Sequence, residues 1–208
     1  MESCQPHHHH DAEVEAIPDG ALRFECMCSA GGSLQAVDEV RWMESHPDLI
    51  FPAVPFPSKH VFAATGTDAL RGLVRRHHDR LKATVVGALF PDDPRMFAMA
   101  VEKAADFVVE ACGGPELFTP VHGPMRMRIR HFPVSIDEHA REVWLRELLA
   151  SFDDVGFPEP VREEYWNWME PFSIRMITRR TTREQPRRHP YAGAAASLAQ
   201  ATTAVGDA

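Results

Sequence analysis

Apolar residues recur every three or four positions in each long segment between residues 58 and 180, and this spacing constrains the fold more than any other feature. An α-helix places such residues on one face, whereas a half-buried strand needs strict alternation, which no segment maintains over four or more residues. No glycine-rich loop joins a strand to a helix, so dinucleotide-binding and P-loop enzymes are disfavoured. The sequence therefore predicts an all-α domain.

Four long helices are predicted, each with a start signal, an apolar face and a stop signal. The predicted starts are Thr67 as the N-cap of the first helix, Asp93 before Pro94 in the second, the capping box Ser135 to Glu138 in the third, and Glu159 in the fourth. The predicted apolar faces, in chain order, are Leu70, Leu73, Val74, His77 or His78, and Leu81; Phe97, Val101, Ala104, Val108 and Ala111; Ile136, Ala140, Val143 or Trp144, Leu148 and Phe152; and Val161, Tyr165, Trp168, Phe172 and Met176.

The helical pattern assigns residues 51–182 to the folded domain, and the flanking segments differ in composition. Residues 1–50 contain four consecutive histidines and a Ser/Gly-rich stretch, so we expect a largely flexible N-terminal extension. The segment from Phe51 to Pro57 has too many prolines for a helix and suits an extended apolar strap on the core. Residues 183–208 are rich in alanine and small polar residues, so we expect a flexible C-terminal tail without an apolar face to bury.

Charge and composition limit the classes of partner. The formal net charge is -8, from 22 Lys and Arg against 30 Asp and Glu, which argues against binding to nucleic acid or to an anionic membrane surface. No window reaches the roughly 18 consecutive apolar residues that a membrane-spanning helix needs, and the four cysteines lack the spacing of a disulfide framework. We expect a soluble, cytoplasmic protein whose partners are small molecules or other proteins.

The most specific pattern is an ordered set of short motifs between residues 89 and 145. In chain order the motifs are Leu89-Phe90-Pro91, Gly113-Gly114-Pro115 with Phe118, Gly123-Pro124-Met125-Arg126, Arg130-His131-Phe132-Pro133 and Trp144-Leu145. This order resembles that of the truncated haemoglobins, particularly the branch with a tryptophan in its penultimate long helix. The resemblance covers roughly residues 58–180 and implies a truncated globin-like helical sandwich that binds one haem b.

Three residues are candidates for the proximal side of that haem. A porphyrin iron needs one neutral imidazole nitrogen as axial ligand, and the other ring nitrogen then needs a hydrogen-bond acceptor. Spacing alone favours a surface or capping role for His131, but the resemblance implies that this histidine is the proximal iron ligand. Arg128 and Arg130 are candidates for the haem propionates, because guanidinium binds carboxylate bidentately, and a solvated basic face is the equal alternative.

The resemblance also implies a set of distal and haem-packing residues. It places Trp144 on the distal side, where an indole N–H stabilises negative charge on a bound ligand, although its position on an apolar helix face also suits a core aromatic. Phe90 matches an aromatic that packs on the porphyrin. Counting along the chain assigns Ala100 and Ala104 to two distal positions, where they leave the pocket open.

The first predicted helix departs from the family pattern, because relatives usually have Phe-Tyr where this chain has His77-His78. Counting back from Phe90 assigns His78 to the tyrosine position, and a one-residue gap would assign it to His77. A distal imidazole can donate a hydrogen bond to bound oxygen, transfer a proton to peroxide or coordinate the iron, and a partly exposed, inert pair is the remaining alternative. We favour hydrogen-bond donation by His78, with His78 and Trp144 as the catalytic pair.

Together these residues predict a haem-binding globin for oxygen or another diatomic ligand, with peroxide or nitric oxide redox chemistry within its reach. Such turnover needs a reductase that the sequence does not identify. A haem-based sensor or redox-linked protein-interaction module is the alternative, because both extensions lie outside the resemblance. A haem-free helical interaction domain is a third interpretation.

Overall fold

The computed structural model describes residues 49–206, and within this range the chain is helical and contains no strand. The helices are α1 (Lys59–Lys82), α2 (Pro94–Ala111), α3 (Thr119–His122), α4 (Met127–His131), α5 (Glu138–Asp154), α6 (Glu159–Arg175) and α7 (Ala194–Gly206), with 3-10 turns at Val85–Leu89 and Tyr191–Gly193. The predicted all-α class is confirmed. The predicted flexible extension lies outside the described residues, apart from its last two. No helix between residues 49 and 206 is long and apolar enough to cross a membrane.

The long helices form two pairs, α1 with α2 and α5 with α6, and α1 packs against both members of the second pair. This arrangement is the predicted helical sandwich. Ion pairs join α1 to its neighbours, from Arg71 to Glu102 of α2 at 2.7 Å and from Arg80 to Glu147 of α5 at 2.8 Å. Because partly exposed ion pairs each contribute little free energy, these pairs fix the register of α1 more than they stabilise the fold.

Gly66 interrupts α1 near its first third. Its φ of 69° and ψ of -179° belong to a region that only glycine adopts without strain, so the helix kinks there. The second part of the helix therefore starts next to Thr67, the predicted N-cap. Its buried residues include Leu70, Leu73, Val74 and Leu81, which are the predicted apolar face.

Helix α2 begins and ends where the sequence predicts. The Asp93 side chain accepts hydrogen bonds from the backbone N–H groups of Arg95 and Met96, and Pro94 occupies the first turn. Beyond the C-terminus, a Cβ atom on Gly114 would lie 2.5 Å from Cε2 of Phe62 in α1. A glycine at this position therefore allows the end of α2 to approach the start of α1 closely.

The capping box predicted for α5 is wrong by two residues. Asp137, and not Ser135, caps the helix, because its side chain accepts a hydrogen bond from the backbone N–H of Ala140 at 2.8 Å. Glu138 binds elsewhere, accepting a hydrogen bond from the backbone N–H of Thr181 at 2.9 Å. The carboxylate thus connects the start of α5 to the chain that follows α6.

The proline-rich strap lies along α6, as predicted. Its residues are extended or irregular, and the ring of Phe56 lies 6.0 Å from that of Trp168. At one end of the strap, Arg175 donates a hydrogen bond to the carbonyl oxygen of Pro52 at 3.0 Å. At the other end, the backbone N–H of Ser58 donates to Glu164 at 2.6 Å, so both ends are anchored to the same helix.

The expectation that the C-terminal residues have no apolar face to bury is wrong. Ala194 and Leu198 are each 1% exposed and belong to the main core, and α7 packs chiefly on α5. Preceding them, His189 is also 1% exposed, and its Nδ1 lies within hydrogen-bond distance of Ser197 Oγ at 2.8 Å. The Trp166 indole N–H donates to the His189 carbonyl at 2.7 Å. Two buried positions four residues apart form a stripe too short to recognise in an alanine-rich sequence.

A buried polar network depends on the same C-terminal segment. Arg141, which is 1% exposed, donates to Glu170 at 2.6 Å, to Ser173 at 2.8 Å and to the Arg187 carbonyl at 2.8 Å. Arg188 adds a second cation to Glu170 at 2.7 Å. Burial lowers the pKa of Arg141, and the neighbouring carboxylates oppose that shift. Removing one member of such a network leaves the others buried without a partner, which is strongly destabilising.

Cys112 lies in the main core at the C-terminus of α2, and it is fully buried. Burial, with a smaller contribution from Glu164, raises the pKa of its thiol to about 12. The side chain therefore acts as a small apolar residue.

Truncation after residue 183 should lower the free energy of unfolding by at least the roughly 2–5 kcal/mol that loss of one large buried apolar side chain costs. The truncated chain loses Leu198 and the hydrogen-bond partners of Arg141 and Trp166. Urea unfolding followed by circular dichroism measures the change. Leu198→Ala should reproduce part of it, whereas Ala196→Ser at an exposed position of the same helix is the matched control. Equal stabilities of the truncated and full-length chains would contradict the packing described for α7.

Candidate functional site

His131 lies in the last turn of α4 and is half-buried. Its Nδ1 lies 2.7 Å from the carbonyl oxygen of Met127, four residues earlier. A carbonyl oxygen only accepts hydrogen bonds, so Nδ1 carries the proton. In the neutral ring, Nε2 then has a free lone pair, which is the form of imidazole that ligates a metal.

His78 repeats this arrangement on α1. Its Nδ1 lies 2.8 Å from the carbonyl oxygen of Val74, again four residues earlier. Its ring meets that of Phe90 edge-on at 5.8 Å. Burial is the main cause that lowers the pKa of His78, and the hydrogen bond to Val74 and the charge of Asp79 partly oppose that shift.

The Val74 hydrogen bond changes the role that His78 can have. Because the proton sits on Nδ1, the neutral ring presents a lone pair at Nε2 and has no N–H to donate from that atom. Its lowered pKa favours this neutral form. The expectation that His78 donates a hydrogen bond to a bound ligand therefore does not fit this tautomer, whereas proton acceptance does.

His77 packs towards α5, and its ring also meets the ring of His78 edge-on at 5.7 Å. It is 4% exposed, and its Nε2 donates a hydrogen bond to the carbonyl oxygen of Trp144 at 3.0 Å. Its ring packs edge-on against the Trp144 indole, with centroids 4.6 Å apart. Burial and, to a smaller extent, the charge of His78 hold the pKa of His77 well below its usual range, so the ring is neutral.

Apolar side chains near these histidines fall into two clusters. Trp144 is partly buried and contacts both, which places its indole at their junction. Phe90 belongs to the smaller cluster, and its ring meets Phe97 of α2 edge-on at 5.7 Å. On α2, Ala104 packs against the main core and Ala100, one turn earlier, is exposed. The distal roles of the two alanines stay predictions.

Both candidate arginines bind backbone carbonyl groups. Arg128 donates to the carbonyl of Arg175 at the end of α6 at 2.7 Å, and burial, followed by repulsion from Arg175, lowers the pKa of Arg128. Arg130 donates to the carbonyls of His122 and Pro124. The structure thus gives these guanidinium groups roles in holding α4 against its neighbours, and contact with haem propionates stays a prediction.

Lys82 is a site residue that the sequence analysis missed. Its ammonium group donates to the carbonyls of Gly87, Phe90 and Pro91 at 3.2 to 3.4 Å, and it lies 5.9 Å from the centre of the Phe97 ring. It therefore holds Phe90 in place beside His78. A lysine in the last turn of a helix is a general signal for carbonyl capping, but it does not indicate which loop is bound.

The chemistry of these residues fits an iron porphyrin. The hydrogen bond of His131 to Met127 leaves Nε2 free, as a ligand to iron requires, and the bond of His78 to Val74 leaves a second Nε2 free in the same way. Phe90 provides aromatic surface against His78, Phe97 extends it, and Trp144 packs on the same small cluster as Phe90. These residues would offer a nitrogen ligand to the iron and aromatic surface to the porphyrin ring.

Comparisons with known proteins support the same interpretation. The family model of bacterial-like globins matches residues 60–178. The group 2 truncated haemoglobin YjbI of Bacillus subtilis is 27% identical over 117 residues, which cover 56% of this chain and 86% of that protein.

Solved structures extend the similarity to the fold. Hell's gate globin IV, in a phosphate-bound crystal structure, is 48% identical with a TM-score of 0.70, over 74% of this chain and 97% of that one. The truncated oxygen-avid haemoglobin from Bacillus subtilis is 27% identical with a TM-score of 0.53, over 56% and 98% of the two chains. The match to the globin model spans more than half of the sequence, and these structures share its helical arrangement. The chain therefore belongs to the bacterial-like globin family as a truncated haemoglobin, a membership that implies a haem cofactor.

Proposed function

We propose that this globin holds haem b through His131 and converts peroxide or a diatomic ligand on the side of His78 and Trp144. None of the four cysteines in the sequence begins a C-x-x-C-H motif, which favours non-covalent haem b over a covalently attached haem. When bound, haem would supply an iron that His131 would ligate and that could bind oxygen or react with peroxide. Multiple turnovers draw electrons from an external donor, which we expect to be a reductase.

The observation that carries the proposal is the matched pair of imidazoles. His131 and His78 both donate from Nδ1 to a carbonyl of their own helix, and both present Nε2 as a lone pair. A globin that only stores oxygen needs a distal donor to stabilise negative charge on the ligand. A distal base instead suits a substrate that must lose a proton, such as hydrogen peroxide.

In this proposal His78 transfers the proton and Trp144 donates a hydrogen bond. Nε2 of His78 takes the proton from the peroxide oxygen, and the indole N–H of Trp144 donates a hydrogen bond to the developing negative charge. The proton held by His78 is then available for the oxygen that leaves as water. The same indole N–H supports binding of oxygen, which agrees with a relative from Bacillus subtilis that is described as oxygen-avid.

Replacing His131 by Ala should abolish stoichiometric haem binding and the Soret absorption of the ferric and ferrous protein, because the axial nitrogen is lost. Titration of purified protein with haemin, followed by absorption spectroscopy, measures the effect. His139→Ala, a partly buried histidine on the next helix, is the control and should leave the spectrum unchanged. An unaltered spectrum in His131→Ala would mean that another residue ligates the iron.

Replacing His78 by Leu should slow the reaction of the ferric protein with hydrogen peroxide by about 100-fold or more, the usual contribution of a positioned general base. Stopped-flow absorption at several peroxide concentrations gives the rate constant. His60→Leu, an exposed histidine on the same helix, should react like the parent. Equal rate constants for His78→Leu and the parent would rule out the base role, and a six-coordinate ferrous parent that becomes five-coordinate in His78→Leu would show iron ligation instead.

The parent rate constant should fall as the pH is lowered, because only the deprotonated ring of His78 accepts a proton. Burial lowers the pKa of His78 below its usual value of 6.5, so the rate should stay constant at pH 7 and decline with a midpoint below 6.5. A pH profile of the stopped-flow rate constant tests this expectation. The acid limb should be absent from His78→Leu, and a midpoint above 6.5 in the parent would contradict the environment described for this ring.

A further inference from the structure

His77 is a buried polar residue that the proposed proton chemistry does not use. It is buried in the second half of α1 with 4% of its surface exposed, and it contacts Trp144 of α5 and the edge of the neighbouring His78 ring. Burying an imidazole costs free energy unless it forms a hydrogen bond, and burial is the main cause of its lowered pKa. Its hydrogen bond to Trp144 is therefore the feature that explains its place in the fold.

The bond between His77 and Trp144 has a defined direction. The Trp144 carbonyl only accepts, so Nε2 of His77 carries the proton and donates at 3.0 Å. The carbonyl lies inside α5, where one lone pair serves the helix and the second remains for His77. The imidazole also packs edge-on against the indole of the same residue at 4.6 Å. One side chain thus contacts both the backbone and the ring of Trp144.

We propose that His77 is a positioning residue that fixes the Trp144 indole and, through the register of α1, the direction of His78. The functional part of this inference rests on the proposed distal role of Trp144. Neighbouring residues on a helix point about 100° apart, so anchoring His77 to α5 turns His78 to a different face, where it meets Phe90. Arg80, one turn after His77, pairs with Glu147, three residues after Trp144, and fixes the same register.

The donor, and not the aromatic volume, is what distinguishes His77 from an ordinary core residue. Phenylalanine would keep the edge-on contact with the indole and would remove the desolvation cost of the imidazole. It would also leave the second lone pair of the Trp144 carbonyl without its partner. Substitution by Phe therefore separates the positioning role from simple packing, and Gln restores an N–H donor of similar reach.

The test compares the parent with His77→Phe, His77→Met, His77→Gln and the control His60→Phe, which makes the same change at an exposed position of α1. The first measurement is the indole N–H resonance of Trp144 in protein labelled with [15N]tryptophan, assigned by its absence in Trp144→Phe. The second is the C–O stretching frequency of the ferrous carbon monoxide complex, which responds to a nearby hydrogen-bond donor. The third is the oxygen dissociation rate from stopped-flow mixing.

We expect His77→Phe and His77→Met to shift the indole resonance, to raise the C–O frequency and to speed oxygen release roughly two- to tenfold, the effect of weakening one hydrogen bond. His77→Gln should return all three towards the parent, and His60→Phe should change none. In the Trp144→Phe background, His77→Phe should cause no further change in the C–O frequency, because its effect passes through the indole.

An unchanged indole resonance in both donor-free variants would overturn the proposal, as would a C–O shift that persists in full without Trp144. Because Met fills the space flexibly, His77→Met keeps the test decisive if His77→Phe does not fold. The indole resonance is measured without reference to the iron. A parent protein that binds no haem would therefore refute the proposed function, while the resonance would still decide the positioning role of His77.

Discussion

Two imidazoles owe their orientation to one local interaction, the hydrogen bond from Nδ1 to the carbonyl four residues earlier in the same helix. This bond selects the tautomer, and the tautomer decides which ring nitrogen is left for chemistry. In His131 it leaves a lone pair suited to ligate iron, and in His78 it leaves a base. Because the acceptors belong to the backbone, only a change of rotamer or of the helix itself would alter this arrangement. Two further hydrogen bonds fix the residues around His78. Lys82 donates to the carbonyl of Phe90, and His77 donates to the carbonyl of Trp144 in α5.

The main helices were predictable because their signals are local. Asp93 before Pro94 and the glycines after α2 act within a few residues, and the apolar faces of α1, α2, α5 and α6 follow from helical periodicity alone. The candidate residues around His131 were predictable only through an ordered motif spanning many residues. The sequence could not decide which of His77 and His78 takes the distal position. Counting along the chain is uncertain by one residue, and a shift of one residue turns a helical side chain by about 100°.

Long-range polar partners were beyond the sequence analysis. Arg128 and Arg130 carry charges that suit propionates, yet their carbonyl partners come from other segments, and nothing local indicates them. The segment that contains His189 and Leu198 was expected to be a flexible tail. Its alanine-rich composition gives no clear apolar periodicity, although Leu198 is buried. Burial of this segment completes the network around Arg141, so the core of the domain extends past residue 178, where the match to the globin family ends.

The burial of Cys112 affects how readily its sulfur can be oxidised. The thiolate is the form of cysteine that attacks peroxide, and burial raises the pKa of this thiol to about 12, so the unreactive thiol form prevails at neutral pH. Its sulfur is also shielded from solvent at the end of α2. The core therefore contains a thiol that is protected from oxidation, so exposure of the protein to peroxide should leave the packing at this position intact.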